Sequence, residues 1–90
     1  MLVKVRLLGS LKPPNVRGEF EVDLPTESKI ATLIEELPRL YPEIANSLRN
    51  PSTSNLIMLD GVEIGNLDGL DTPLAKYSKI VLVPVTHGGR

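Results

Sequence analysis

The segment from Ile80 to Val85 constrains the fold of this chain more than any other feature, because it is apolar at every position. A continuous apolar run of this length, rich in β-branched residues, is typical of a strand in the middle of a sheet. Pro84 lacks a backbone amide donor, so it interrupts hydrogen bonding near the end of the run. The run therefore predicts a central strand that leads almost directly into the C-terminus.

Two segments near the N-terminus show the alternation expected of strands with one buried face. In residues 3–7, valine and leucine alternate with Lys4 and Arg6, and in residues 19–24, apolar residues alternate with carboxylates. The segment between them, 10–18, contains two prolines and an asparagine, which favour a loop over ladder pairing. We expect a hairpin of two strands joined by a long open loop.

A helix is predicted from Ile30, because the following apolar residues recur at helical spacing. They are Leu33, Ile34, Leu37, Leu40, Tyr41, Ile44 and Leu48. Ser28 is the expected N-cap. Pro38 lies inside the stripe and predicts a kink or an early end, since it removes an amide donor and crowds the preceding turn. Pro42 suits the first turn of a renewed segment, so the pattern leaves open two short helices.

A second hairpin is predicted around Asp60-Gly61, a dipeptide typical of tight turns between strands. The apolar run 56–59 precedes it, and 62–64 is the expected return strand. The connection 65–73 is rich in glycine and aspartate. We expect its leucines, together with the one that follows it, to anchor the connection on the core. They are Leu67, Leu70 and Leu74.

This order of elements predicts an α+β roll, in which one helix lies across a mixed sheet. Ninety residues suffice for one domain, which we assign to 1–85 with a flexible tail at 86–90. Apolar residues make up 41% of the chain and charged residues 23%, a globular balance. The chain carries no cysteine, no secretion signal and no apolar run long enough to span a bilayer, so we expect a cytoplasmic protein with no membrane association.

Composition and spacing also argue against several chemistries. Ten basic residues balance eleven acidic ones, and three scattered aromatics form no stacking platform, so direct nucleic-acid binding is not expected. His87 is the only histidine, which favours a solvated tail residue over a catalytic triad or a metal site. The glycines do not match the spacing of phosphate-binding loops. We therefore expect no catalytic residue, no metal and no cofactor bound by this chain.

The C-terminal Gly88 and Gly89 are the strongest candidate for a working site. Terminal glycines are often only a frayed end. Here they follow a predicted central strand within three residues, so they project from a rigid body, and a chain without β-carbons can lie extended in a narrow cleft. The carboxylate at the end of such a tail becomes an electrophile once another enzyme adenylates it.

Several segments together resemble the sulfur-carrier branch of the ubiquitin fold. They are residues 3–11, 33–42, 59–64, 70–74 and 80–84 and the ending His87-Gly88-Gly89. The family includes the small subunit of molybdopterin synthase (MoaD), the thiamine sulfur carrier (ThiS), the eukaryotic ubiquitin-related modifier and the small archaeal modifier proteins. The resemblance covers nearly the whole chain and implies a β-grasp fold with about five strands.

The resemblance also implies a mechanism for the tail. An activating enzyme that uses ATP would adenylate Gly89, which would then become a thiocarboxylate or be joined to a lysine of a target protein. Gly88, which has no side chain, would lie next to Gly89 in the enzyme's narrow cleft. Arg90 departs from the family, whose mature members end on glycine, so either a processing peptidase removes it or the tail chemistry is absent. Further implied partners are a sulfurtransferase and the large subunit of molybdopterin synthase, and the implied pathways are molybdenum-cofactor synthesis and tRNA thiolation.

A partner surface is also expected on the last strand. If Ile80, Leu82 and Pro84 face the helix, the valines between and after them face away. These are Val81, Val83 and Val85, and we expect Leu8 to adjoin them. Isolated surface valines are common, whereas adjacent outward apolar residues often mark an interface. We favour the interface.

Three functions are consistent with these residues. The first is a sulfur carrier or ubiquitin-like protein modifier, and the second is the small, non-catalytic subunit of molybdopterin synthase. The third is an interaction module that uses the sheet face and never activates its tail, which an unprocessed Arg90 favours.

Overall fold

Five strands and one helix form the main body of the computed structural model, which describes residues 1–9, 18–45, 48 and 53–86. The elements are β1 (Leu2–Leu7), β2 (Glu19–Asp23), α1 (Ile30–Leu40), β3 (Thr53–Leu59), β4 (Val62–Glu63) and β5 (Lys79–Thr86). The strands form one mixed sheet in the order β2-β1-β5-β3-β4. The predicted α+β roll with one main helix and five strands is confirmed.

The sheet is mixed because β5 pairs in opposite senses with its two neighbours. It runs parallel to β1, with Val5 opposite Ile80, and antiparallel to β3, with Ile57 opposite Leu82. The central position expected of the apolar run 80–85 is therefore confirmed. Burial on one face explains the alternation in β1, where Val3, Val5 and Leu7 are buried.

The core lies between this inner face of the sheet and α1. Every second residue of a strand and every third or fourth residue of the helix contributes to it. Its members are Val3, Val5, Leu7, Val22, Leu24, Ile30, Leu33, Leu37, Ile44, Ile57, Leu59, Ile64, Leu74, Ile80 and Leu82. Phe20 is half-buried at the edge and packs on Tyr41, with ring centroids 4.7 Å apart. The predicted hairpin of β1 and β2 is confirmed by their antiparallel pairing.

The helix begins differently from the prediction. The N-cap is Lys29, whose backbone amide donates to the Thr32 hydroxyl at 3.2 Å. Ser28 is not the cap, because its hydroxyl donates to the Pro25 carbonyl at 2.6 Å and closes the preceding turn. Sequence pattern alone does not distinguish a serine that caps a helix from one that closes the turn before it.

The end of the helix lies slightly beyond the expected break. α1 runs through Pro38 to Leu40, and a 3-10 turn at Pro42–Ile44 then follows, with Pro42 at its first position as predicted. The loss of one amide donor is tolerated because the helix ends within a turn of Pro38. Leu40, which was expected in the buried stripe, is largely exposed because it lies at this last turn.

The second hairpin is confirmed at Asp60-Gly61. Both residues have positive φ, 49° and 86°, as a tight two-residue turn between twisted strands requires. The lengths of its strands differ from the prediction: β3 begins at Thr53 rather than 56, and β4 ends at Glu63. Ile64 starts a 3-10 turn instead and contributes to the core.

The connection after β4 is anchored by fewer leucines than expected. Leu74 is buried, and its backbone amide donates to the Ser28 carbonyl at 2.9 Å. The prediction for Leu67 and Leu70 is wrong, since they are 43% and 52% exposed. Two 3-10 turns, at Ile64–Asn66 and Gly69–Asp71, direct these side chains outward and leave Ile64 to fill the core.

The helices within the described ranges are all too short or too polar to cross a bilayer.

Candidate docking surface at the base of the tail

The strand that leads into the C-terminal residues is held on both sides. β5 pairs with β1 as far as Leu82 and with β3 as far as Thr86, which lies opposite Thr53. Thr86, which we assigned to the tail, is therefore the last residue of β5. The tail residues of the prediction, His87, Gly88, Gly89 and Arg90, lie outside the described residues. β5, the strand that precedes them in the sequence, is the middle strand of the sheet.

Pro84 is tolerated in this central strand because its backbone nitrogen, which has no hydrogen to donate, faces the side where β1 has already ended. The Leu8 amide donates to the Leu82 carbonyl at 3.1 Å, so the backbone groups of Leu82 and of the residue two positions on point toward β1. β1 has already ended there, and a β-carbon on Gly9 would lie 3.1 Å from the Pro84 ring. Pro84 thus ends the pairing with β1 while the pairing with β3 continues to Thr86.

The face of the sheet opposite the helix carries an apolar surface. Ile80 and Leu82 are fully buried on the helix side, so the pleat places Val81, Val83 and Val85 on the other face. Residues directly opposite on neighbouring strands share a face, and β3 therefore adds two members. We call this set the outer patch, and its members are Leu8, Leu56, Met58, Val81, Val83 and Val85.

Two of these residues were missed by sequence reasoning. Leu56 lies opposite Val83 and Met58 lies opposite Val81, so they extend the patch across two strands. Leu56 is 39% exposed and Val85 43%. In the sequence, Leu56 and Met58 are part of a short apolar run that shows no preference for either face. Only the register with β5 distinguishes them from their buried neighbours.

The outer patch is bordered on one side by charged residues. Arg6 lies opposite Val81, and Lys4 lies opposite Lys79, on the same face and closer to the start of the strands. A shallow open cleft of about 400 Å³ crosses this border, lined by Lys4, Glu19, Phe20, Glu21 and Lys79. Since its lining carries both signs of charge and is more polar than apolar, the cleft contrasts with the valine-rich end of the face near Thr86.

The geometry therefore places an apolar surface beside the strand that bears the tail. The described residues include no cluster of three or more histidine, cysteine, aspartate or glutamate side chains arranged for a metal. This face provides an apolar contact area on a rigid sheet, with charged side chains along one border. Such a surface suits another protein better than a small ligand.

The fold is the ubiquitin-like β-grasp, in which one helix lies across a five-stranded mixed sheet. It is similar to small archaeal modifier protein 1 from Methanosarcina acetivorans (TM-score 0.77, 22% identity, covering 98% of this chain and 96% of that one). It is also similar to small archaeal modifier protein 1 from Haloferax volcanii (TM-score 0.75, 14% identity, covering 99% and 100%).

A third similar structure comes from a bacterium. It is a chain in the complex of subunits 1 and 2 of molybdopterin-converting factor from Helicobacter pylori, with a TM-score of 0.67 and 25% identity over 99% of this chain and 100% of that one. No family model matches the sequence, and no curated protein matches it. The resemblance drawn from the sequence is thus confirmed by structural neighbours, and these likenesses establish the fold.

Proposed function

We propose that this chain is a ubiquitin-like sulfur carrier or protein modifier that acts through the carboxylate of Gly89. The observation that carries the proposal is the position of β5, the central strand of a β-grasp sheet, which runs directly into His87-Gly88-Gly89. Its similarity to small archaeal modifier proteins over nearly the full length of both chains supports it. The Gly89 carboxylate would become reactive only with the help of a separate enzyme.

The chemistry belongs to that enzyme and to ATP, and this chain supplies the acyl group. A carboxylate oxygen of Gly89 attacks the α-phosphorus of ATP, and pyrophosphate leaves. A persulfide on a sulfurtransferase then displaces AMP to give an acyl disulfide, and a thiol reduces this to the thiocarboxylate while forming a disulfide with the sulfurtransferase cysteine. Alternatively, a lysine amine of a target protein displaces AMP to give an isopeptide. We place both routes in the cytoplasm, and tRNA thiolation is one process that a thiocarboxylate would serve.

Arg90 makes this function conditional on processing by a peptidase. While Arg90 is present, the chain's carboxylate lies one residue too far along, and a long cationic side chain must enter a cleft suited to glycine. We expect the full chain to be inert and the chain ending at Gly89 to be the substrate. Gly88 keeps the approach to the reacting carboxylate free of side-chain atoms.

The outer patch is the surface through which the activating enzyme would hold the chain. Because it adjoins the last residues of β5, contact with it fixes the direction in which the tail enters the enzyme. A charge introduced at Val83, near the centre of the patch, should therefore raise the KM for this chain while leaving kcat nearly unchanged.

The test compares the full chain with a chain ending at Gly89, each incubated with its activating enzyme and ATP and followed by intact mass. We expect an adenylate, a thiocarboxylate or a conjugate only from the shorter chain. Val83→Lys in the shorter chain should weaken the reaction, whereas Leu70→Lys, at an exposed leucine in the connection after β4, is the matched control. Failure of the shorter chain to form any product would refute the proposal.

A second candidate is the small subunit of molybdopterin synthase, which inserts its tail into a large subunit. The similarity to a chain from the Helicobacter pylori molybdopterin-converting factor complex favours it, since this is the neighbour of highest identity reported above. Co-purification of a large subunit would support this role, and lysine-linked adducts in cell lysate would support the modifier role instead.

The third candidate, an interaction module without tail chemistry, is supported by the outer patch and by Arg90. Deletion of residues 88–90 distinguishes it. A pure binding module keeps its partner after the deletion, whereas a carrier or modifier loses its product.

A further inference from the structure

Among the residues that the structure describes, part of β3 has a neighbouring strand on one side only. β3 pairs with β5 along its whole length, from Thr53 to Leu59, but β4 pairs only with Met58 and Leu59. No described residue is paired with segment 53–57 on the side away from β5. We call this segment the free edge.

The backbone groups of alternate residues along the free edge point away from β5. The Asp60 amide donates to the Lys79 carbonyl at 2.8 Å, and the Lys79 amide donates to the Asp60 carboxylate at 2.9 Å, so residues 60 and 79 occupy a hydrogen-bonded position of the antiparallel ladder. Counting back by twos, residues 54, 56 and 58 bond to β5, and residues 53, 55 and 57 direct their amides and carbonyls outward. The hydrogen bond from the Leu8 amide to the Leu82 carbonyl agrees with this alternation. It shows that the backbone of Leu82, which lies opposite Ile57, faces β1 and not β3.

The two edges of the sheet differ in charge. β2, at one edge, carries Glu19, Glu21 and Asp23, and a copy paired across its centre would bring Glu21 against a second Glu21. The free edge reads Thr-Ser-Asn-Leu-Ile and has no charged residue. Since like charges directly opposite destabilise strand pairing, the free edge is the one suited to pair with an identical copy.

Asn55, at the middle of the free edge, carries an unsatisfied polar atom. Its Oδ1 is buried and has no hydrogen-bond partner among the described residues. A buried amide oxygen without a partner costs about 1–3 kcal/mol. A second asparagine directly opposite on a paired strand would supply an amide donor for this oxygen once the Asn55 side chain turns toward it.

We propose that two copies of this chain pair through their free edges, antiparallel, about a two-fold axis at Asn55. Asn55 then lies opposite Asn55 of the second copy, and residue 53 lies opposite residue 57. In each copy β4 already pairs with Met58 and Leu59, so the pairing between copies stops at residue 57. The unpaired part of each β3 is therefore the five residues 53–57, and it matches the same five residues of the second copy. The two sheets become one, and the contact closes on itself as a dimer.

This pairing leaves the proposed tail chemistry accessible, although it does not depend on that chemistry. β5 lies on the other side of β3 from the axis, so the second copy would not cover the backbone of Thr86, where β5 ends. Leu56 lies on the outer face next to the axis, and the outer patches of both copies would therefore share one continuous surface.

The experiment measures the mass of the full chain in solution over a range of concentrations, using light scattering and sedimentation. We expect a dimer that dissociates on dilution. Asn55→Lys and Asn55→Asp each place like charges opposite one another and should raise the dimer dissociation constant by about tenfold or more. An equimolar mixture of the two variants should restore a dimer, because lysine then faces aspartate.

Val81→Lys serves as the contrasting variant, since it charges the outer patch and leaves the free edge unchanged. Circular dichroism of each variant checks folding. Hydrogen exchange on the unmodified chain needs no variant at all: the Asn55 amide should be protected at high concentration and exposed at low concentration. A monomer at every concentration overturns the proposal, as does a dimer that Val81→Lys abolishes and both Asn55 variants retain.

Discussion

The two faces of β5 are made of the same kind of residue but differ in burial. Ile80 and Leu82 face the helix and are 0% exposed, whereas Val83 and Val85 face outward, and Val85 is 43% exposed. Apolar area stabilises the fold in proportion to the water it excludes, so the inner residues hold the sheet and helix together. The outer residues contribute much less to stability, which leaves them available for a partner.

The largest effect that tests this contrast is expected from Leu82→Ala. It removes a fully buried side chain at the centre of the core and should lower the free energy of unfolding by about 2–5 kcal/mol. Thermal unfolding measures this as a fall in Tm, and activation of the tail should be lost only to the extent that the variant unfolds. A loss of less than about 1 kcal/mol would contradict the assignment of this face as the core.

A smaller effect is expected where β1 ends against β5. Gly9 has φ +57°, and a β-carbon there would lie 3.1 Å from the Pro84 ring. Gly9→Ala should therefore destabilise the protein through both backbone strain and crowding, by about 2 kcal/mol. Chemical denaturation measures the change.

Gly69→Ala is the matched control for Gly9→Ala. Gly69 has nearly the same φ, +59°, but a β-carbon there would meet no atom within 4 Å. The control should lose only the strain component, so the difference between the two variants, about 1 kcal/mol, reports the contact with Pro84. Equal losses would mean that Pro84 does not limit the end of β1.

On the outer face, Val83→Thr should separate stability from binding. Threonine keeps the branched shape that suits a strand, so we expect the free energy of unfolding to change by less than about 1 kcal/mol. The added hydroxyl makes the centre of the outer patch polar, and titration with the activating enzyme should show weaker binding. Unchanged affinity would indicate that the enzyme binds elsewhere on the chain.

The smallest effect is expected from Leu70→Ser in the connection after β4. This leucine is 52% exposed, so its replacement should change the free energy of unfolding by about 0.5 kcal/mol or less. Leu74→Ala is the comparison, because Leu74 is buried and its loss should cost several times more. A large loss from Leu70→Ser would restore the original expectation that this leucine anchors the connection.

Much of the fold was predictable from local patterns. The alternation in β1 and β2, the helical stripe from Ile30 and the tight turn at Asp60-Gly61 each depend on a few neighbouring residues, and they are confirmed except that Leu40 is exposed. Errors occurred at boundaries, where two local structures compete, and in the connection after β4, where Leu67 and Leu70 are exposed. Ser28 closes a turn rather than capping α1, and Ile64 enters a 3-10 turn rather than ending β4.

The candidate site was predictable only in part. The valines of β5 follow from alternation once the inner face is known, but the contributions of Leu56 and Met58 depend on pairing between strands more than twenty residues apart in the sequence. The tail itself, Gly88 to Arg90, lies outside the described residues, and its role stays a prediction from the sequence.

By itself, the sequence determined the strands, the helix and the turn, because those depend on side-chain periodicity and on backbone preferences within a few residues. It also determined the diglycine ending on which the proposed function depends. The tertiary structure alone decided that β5 lies between β1 and β3, that Pro84 faces the side where β1 has ended, and that β3 keeps a free edge. These features arise from contacts between distant segments, and only the packed sheet specifies which residues meet.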